Sequence, residues 1–336
     1  MEYTEEYLYN YTGCFFGPYY DGFMVEDKPI EFPIILSIVV ILSLFGNILV
    51  VVISVFYMRH RSQTIIFILN LALSDLLFTV GLVLTIYERM WYLPFGDAPC
   101  KVIFFVLSAG FYSSVVFLVL LSIHRYMAAM HPHASWKKGC CFTLILICAW
   151  VVSFLASVPV TVHTETMYYE RGCMFRSKTT LDAIIHEHNI VFVCAFLVMS
   201  FCYIRILHNI FKSTTNQRHR TAGLAFILVS VFFICWAPFN IMIFLYTLPY
   251  DHIVLSSHFW YATYICHFLA SSRCCVNPVI YGLLGLKFRE TVREILERRG
   301  AFSSSQVTMV KLHSESCVSV NNQVPEPDKH SYIRDL

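Results

Sequence analysis

Four ionisable residues, Asp75, Arg125, His267 and Arg273, interrupt or terminate long apolar runs. A charge in such surroundings costs about 3 kcal/mol or more, so groups of this kind face a protein interior and serve ion pathways, proton relays or switches. Pro238 and Pro278 lie in two of the same runs, and an internal proline frees a backbone carbonyl and kinks its helix, which supplies a hinge. Catalytic chemistry is poorly represented by comparison. His186-Glu187-His188 has metal-binding residue types but no third ligand in view, which predicts no metal. No lysine lies between Phe259 and Leu286 to form a Schiff base with retinal. Transporter-like repeated halves are not evident. These residues predict neither an enzyme nor a cofactor-dependent protein.

The elements that must position these groups are membrane helices. Crossing hydrocarbon takes about 20 largely apolar residues, and 32–57, 64–87, 102–123 and 139–162 meet that length. A fifth span over 184–211 requires polar residues at both membrane surfaces. The stretch 221–250 is uncharged, and 259–286 makes a seventh span interrupted by His267 and Arg273. The loops after spans one, three and five hold Arg59, Arg61, Lys137, Lys138, Arg205, Lys212, Arg218 and Arg220, and 287–299 adds more bases. The opposite side holds Lys28, Arg89, Lys101, Arg171, Arg176 and Lys178. The excess of cations on one side predicts an extracellular amino terminus and a cytoplasmic carboxyl terminus.

Composition agrees with a lipid-embedded chain. Of 336 residues, 57% are hydrophobic and 14% charged, far from globular usage. A net charge of +2 provides no global field for nucleic acid. Most of the 13 cysteines lie within apolar stretches and read as buried thiols. No apolar run precedes Phe32, so a cleavable signal peptide is not expected and the first span is expected to direct insertion. The division of the chain follows: an acidic, Tyr-rich tail over 1–31, a seven-helix bundle over 32–285, an amphipathic helix lying on the inner leaflet over 286–299, and a disordered tail over 300–336. The fold class is an all-α membrane protein, a seven-transmembrane bundle with a short eighth helix.

Gly46-Asn47, Asn70-Leu-Ala-Leu-Ser-Asp75, His124-Arg125-Tyr126, Trp150, Cys235-Trp236-Ala237-Pro238 and Asn277-Pro278-Val279-Ile280-Tyr281 occur in that order, each on a different span. Together they resemble the rhodopsin-like G-protein-coupled receptors over about residues 30–297. The resemblance implies a switch of Asp75, Ser114, Trp236, Pro238, Arg273, Asn277, Pro278 and Tyr281. It also implies coupling to a heterotrimeric G protein through His124, Arg125, Tyr126 and Tyr203, and a disulfide between Cys100 and Cys173. Gly110-Phe-Tyr-Ser-Ser114, Phe201-Cys-Tyr203, Arg218-His-Arg220 and Cys274-Cys275 are similar to the chemokine-receptor branch. His124 before Arg125-Tyr126, His188-Asn189, Ala195 in place of the usual fifth-span proline, Tyr261-Ala262 and Ile265-Cys266 resemble its XC-type members.

The resemblance implies a basic chemokine ligand, a G protein and, through Ser303, Ser304, Ser305, Thr308, Ser314, Ser316 and Ser319, arrestin. An acidic outer tail complements such a ligand. Asn10-Tyr-Thr12 is a glycosylation acceptor, Tyr3, Tyr7, Tyr9 and Tyr11 are ligand-binding candidates, and these four with Tyr19 and Tyr20 are sulfation candidates. The ligand's amino terminus would enter a cavity bordered by Trp91, Tyr112, Tyr246, Tyr264 and His267. The expected location is the plasma membrane, multi-pass. The alternatives are a scavenging receptor with weak coupling, or a receptor for another peptide.

Several positions depart from the family pattern. No cysteine in 249–258 is there to pair with Cys14, which is free, paired in another chain, or part of a looser tail. Val83 replaces a proline, so the second helix is expected to run straighter. His267 stands where many relatives have a ligand-binding glutamate. His124 replaces the acid beside Arg125, which predicts either easier release of that arginine or weaker coupling. Arg273 stands beside the family's sodium pocket of Asp75, Ser114 and Asn277, and is expected to pair with Asp75 in place of sodium or else to turn elsewhere.

Overall fold

The long apolar runs all become helices, because only a helix satisfies its own backbone within hydrocarbon. In a computed structural model the described residues are 31–57, 63–91, 97–130, 140–167, 172–175, 177–212, 217–248, 257–284, 290–294 and 297. In the unit spanning 1–285 the helices are α1 Glu31–Val52, continuing as a π-helical segment Ile53–Tyr57, then α2 Gln63–Trp91, α3 Asp97–Met130 and α4 Cys140–Val162. A hairpin of β1 Thr164–Met167 and β2 Gly172–Phe175 follows, then α5 Lys178–Lys212, α6 Gln217–Tyr246 and α7 Ser257–Leu284. α1 to α6 are long and apolar enough to cross a membrane by length and composition; α7 carries the polar residues His267, Arg273 and Asn277.

Helix limits extend beyond the apolar runs where the ends are polar. α3 begins at Asp97, whose negative charge favours a helix start, with Pro99 in the first turn where a missing N–H costs nothing. α5 starts after Ser177, whose Oγ accepts the Thr180 N–H at 3.2 Å, a side-chain cap. α6 ends in a tightened turn, with Thr247 N–H to Phe244 O at 3.0 Å and Leu248 N–H to Leu245 O at 3.2 Å. Pro249 follows, and the residue before a proline is steered away from helical conformation. α2 continues as helix through Val83.

α3 is the central post, packing against α2, α4, α5 and α6. α1 packs on α2 and α7, α2 on α7, and α6 on both α5 and α7. Burial runs opposite to that of a soluble protein: Asp75, Asn47 and Arg273 are buried while Phe45, Phe56 and Leu283 are exposed, which suits a bundle whose outer solvent is lipid. Two contacts bring backbones close. A Cβ on Gly110 would lie 2.5 Å from Phe78 N and 2.6 Å from its Cα, so α2 and α3 touch there. A Cβ on Gly46 would lie 2.7 Å from Pro278 Cβ, where α1 meets α7.

The hairpin was not anticipated. Its strands pair antiparallel, Thr164 with Phe175 and Thr166 with Cys173, and β1 packs on α3. Cys173 forms a disulfide with Cys100 in the first turn of α3, the Cα atoms 5.4 Å apart.

The unit spanning 286–336 is described only at 290–294 and 297, all helical. Arg293 Nε donates to Glu297 Oε1 at 2.9 Å. Most of the expected amphipathic helix, the tail 300–336 and the tail 1–30 lie outside the described residues.

Candidate functional site

Pro278 explains how the inner half of the bundle is joined. A proline at 278 cannot donate to the carbonyl of Cys274, and that carbonyl instead accepts Asn47 Nδ2 at 2.9 Å and Ser43 Oγ at 3.4 Å. The hydrogen bond lost within α7 is thereby replaced by one from α1. Gly46 gives the proline ring room beside it.

In the same polar core, Asp75 Oδ1 accepts Arg273 Nη2 at 2.6 Å and Ser114 Oγ at 3.3 Å, and Oδ2 accepts Asn277 Nδ2 at 2.6 Å. Arg273 Nη2 also donates to Ser114 Oγ at 3.1 Å. The two charged side chains are 1% and 0% exposed, so each depends on the other to remain ionised. The planar fork that suits arginine to a carboxylate is used through a single nitrogen, while Nε and Nη1 have no hydrogen-bond partner among the described residues. Phe232 lies under the guanidinium, 5.7 Å from its ring centre, which supplies a cation–π contact. A sodium ion does not fit this group of residues, because the Asp75 and Ser114 oxygens that would hold it already hold Nη2, and Asn277 presents an N–H.

Above this cluster, Trp236 is surrounded by aromatic rings from four helices. Ring centres lie 4.4 Å from Phe111, 6.0 Å from Phe78, 6.0 Å from His188, 6.4 Å from Phe232 and 6.0 Å from Phe239. His188 stacks on Phe111 at 4.1 Å, and His267 meets Phe239 edge-on at 5.5 Å. Rings therefore run in contact from His267 through Phe239, Trp236 and Phe232 to Arg273.

At the inner end of α3, His124 Nε2 is 3.0 Å from Gln63 Oε1, and Arg125 Nη2 donates to Thr64 Oγ1 at 2.7 Å. Both residues are thus tied to the first turn of α2. Tyr203 is buried and packs on Phe226 at 5.5 Å. Tyr126 packs on Phe201 at 5.9 Å.

The expected switch residues Asp75, Ser114, Arg273 and Asn277 come together in one cluster, with Trp236 joined to it through Phe232. Pro238 and Pro278 are half-buried within α6 and α7, and Tyr281 is buried. Of the expected cavity residues, Tyr112, Tyr246 and His267 are buried and Tyr264 is half-buried. Trp91 ends α2, and its side chain lies outside the described residues, as do Asn10, Tyr3, Tyr7, Tyr9, Tyr11 and Cys14. His186 and His188 occupy different faces, one exposed and one buried, because residues two apart on a helix point nearly opposite ways. Phe78, Phe232, Gln63 and Thr64 were missed: the phenylalanines read as ordinary apolar filling, and Gln63-Thr64 as the polar start of a helix.

The family described as "7 transmembrane receptor (rhodopsin family)" matches residues 46–281. The chain is 36% identical to Chemokine XC receptor 1 of Homo sapiens over 271 residues, covering 79% of this chain and 81% of the relative. It is likewise 36% identical to Chemokine XC receptor 1 of Mus musculus, covering 79% and 82%. Identity to C-C chemokine receptor type 8 of Homo sapiens is 31%, covering 86% and 85%. With apolar spanning helices packed around a buried polar core, and sequence likeness to these receptors over most of both chains, the protein belongs to the rhodopsin family of seven-transmembrane receptors, among its chemokine receptors.

Proposed function

We propose that this multi-pass receptor sits in the plasma membrane with its amino terminus outside, binds a basic chemokine of the XC type, and passes that event to a heterotrimeric G protein and to chemotactic signalling. Capture takes place at two sites. The acidic tail over 1–31, with Tyr3, Tyr7, Tyr9 and Tyr11 and a glycan on Asn10, holds the chemokine body. The ligand's amino terminus enters among Trp91, Tyr112, Tyr246, Tyr264 and His267. The bundle over 32–285 then changes state, while the amphipathic segment 286–299 lies on the inner leaflet of the bilayer and the phosphorylated tail over 300–336 recruits arrestin.

The observation that carries this reading is the unbroken run of ring contacts from His267 to Arg273. Its outer end is where a ligand would press, and its inner end grips Asp75 and, through it, Asn277. A ligand that binds one arrangement of Trp236 more tightly than another shifts the population of the inner cluster by the difference in affinity. Release of Arg125 from Thr64 toward Tyr203 then opens the G-protein face.

The test is a calcium and cAMP assay in cells expressing the full chain, challenged with XC-type, C-C and C-X-C chemokines. Activation by an XC-type chemokine supports the reading. Silence toward the whole panel refutes it.

A further inference from the structure

Near its carboxyl end α5 changes character on the side that faces away from the bundle. Met199, Cys202, Tyr203 and Ile206 are buried. The opposite side holds Leu197, Phe201 and Ile204, which are 60%, 57% and 64% exposed, and then Arg205 and His208, both exposed. Residues three and four apart share a helix face, so these five form one stripe, apolar first and basic after. A stripe turned away from the core of a membrane bundle meets lipid. From Lys178 to Arg205 the helix rises about 40 Å at about 1.5 Å per residue, the thickness of a bilayer with its headgroups. Leu197, Phe201 and Ile204 therefore lie at the level of the acyl chains, and Arg205 and His208 at the level of the phosphates.

The protein itself satisfies neither basic residue. α5 carries no Asp or Glu after Glu187, and Arg205 and His208 make no hydrogen bond or ion pair among the described residues. Arg293 differs, being paired with Glu297 at 2.9 Å. A guanidinium meets a phosphate with a fork of N–H donors, and an imidazole offers a further N–H in either charge state. At the border of the stripe Phe201 packs on Tyr126 of α3 at 5.9 Å, and Asn209 Nδ2 donates to Ala129 O at 3.4 Å. This end of α5 is thus attached to α3 and open to lipid at once.

We propose that Arg205 and His208 hold the headgroup of an anionic phospholipid of the inner leaflet, whose acyl chains lie along Ile204, Phe201 and Leu197. The site rests on the orientation read from the lysine and arginine distribution, which puts this end of α5 in the cytosol. The cytoplasmic leaflet is the one that carries anionic lipid, and each cation near its surface strengthens the attraction about fivefold. Charge favours lipid over a second copy of this chain, whose α5 would bring the same cations to a symmetric contact. A polyphosphorylated headgroup, with more charge than a serine headgroup, suits two donors best.

Binding is measured by native mass spectrometry of the purified full-length receptor, without chemokine or G protein, against phosphatidylinositol bisphosphate, phosphatidylserine and phosphatidylcholine. Wild type is expected to bind them in that order of affinity. Arg205→Gln is expected to weaken the phosphoinositide about fivefold. Arg205→Lys loses less, since the charge remains, and Lys178→Gln, at the other end of α5, leaves the affinity unchanged. Equal affinity in wild type and Arg205→Gln overturns the site, as does loss of a receptor dimer rather than of lipid in that variant. Should Arg205→Gln not fold, a phosphoinositide with a photoreactive acyl chain decides on the wild type: labelled peptides within 197–208 support the site, and labelling only elsewhere overturns it. Chemokine takes no part in the measurement, so silence toward the chemokine panel refutes the receptor reading and leaves the lipid site standing. A carboxyl-terminal epitope stained on intact cells overturns the inner-leaflet assignment.

Discussion

Arg273 concentrates the consequences of one residue. Its guanidinium is the counter-charge of Asp75 at 2.6 Å in a site closed to solvent, and removing one member of such a pair costs about 3–5 kcal/mol because the other is left buried and uncompensated. Arg273→Gln is therefore expected to lower the melting temperature of detergent-solubilised receptor, and Asp75→Asn added to it to restore most of the loss. A double variant no more stable than Arg273→Gln alone contradicts the pairing. Since the guanidinium occupies the oxygens that would hold sodium, chemokine affinity on the wild type is expected to be unchanged when sodium is replaced by an organic cation. A fall in affinity with added sodium refutes that assignment.

His124 has no carboxylate to offer Arg125, yet the arginine is not loose. Thr64 and Gln63 hold the pair with uncharged acceptors. Losing one such bond is worth about 1 kcal/mol, or about a fivefold change in a two-state population. Thr64→Val is expected to raise agonist-free G-protein signalling by that order, whereas His124→Asp, which places a negative charge beside Arg125, is expected to lower it. Unchanged basal cAMP in Thr64→Val sinks the latch.

At the scale of elements, two helix crossings depend on the absence of a side chain. Gly110 lets α3 lie against the Phe78 backbone of α2, and Gly46 lets α1 lie against Pro278. A methyl at Gly110 meets backbone atoms that cannot move without separating the helices, and overpacking of this kind costs about 1–3 kcal/mol. Gly110→Ala is expected to reduce cell-surface receptor and its melting temperature. Asn47→Ala is expected to act on the other crossing by removing the donor to the Cys274 carbonyl. Wild-type stability in Gly110→Ala contradicts the close approach.

For the molecule as a whole, the uneven distribution of lysine and arginine across the spans predicts an extracellular amino terminus. An epitope placed before Met1 is expected to be reached by antibody on unpermeabilised cells, and one placed after Leu336 only after permeabilisation. Asn10→Gln is expected to remove a glycan, read as faster migration on a gel. Staining of the carboxyl-terminal epitope on intact cells reverses the orientation.

Apolar length marked most of the seven helices, because within hydrocarbon a single segment satisfies its own backbone only as a helix and a run of about 20 apolar residues is long enough to be read directly. The motifs on those helices similarly pointed to Asp75, Trp236, Asn277 and Arg273 as a working group, since a polar or proline residue in an apolar run has few places to go. The fifth span needed its polar flanks counted in, and the hairpin that carries Cys173 was invisible because its short strands have no strong alternation. Only the packed bundle decided who met whom. That Arg273 uses one nitrogen rather than two and that Thr64 receives Arg125 both depend on how the helices are rotated against one another. Rotation is set by many weak side-chain contacts between distant parts of the chain, and no local pattern in the sequence records their sum.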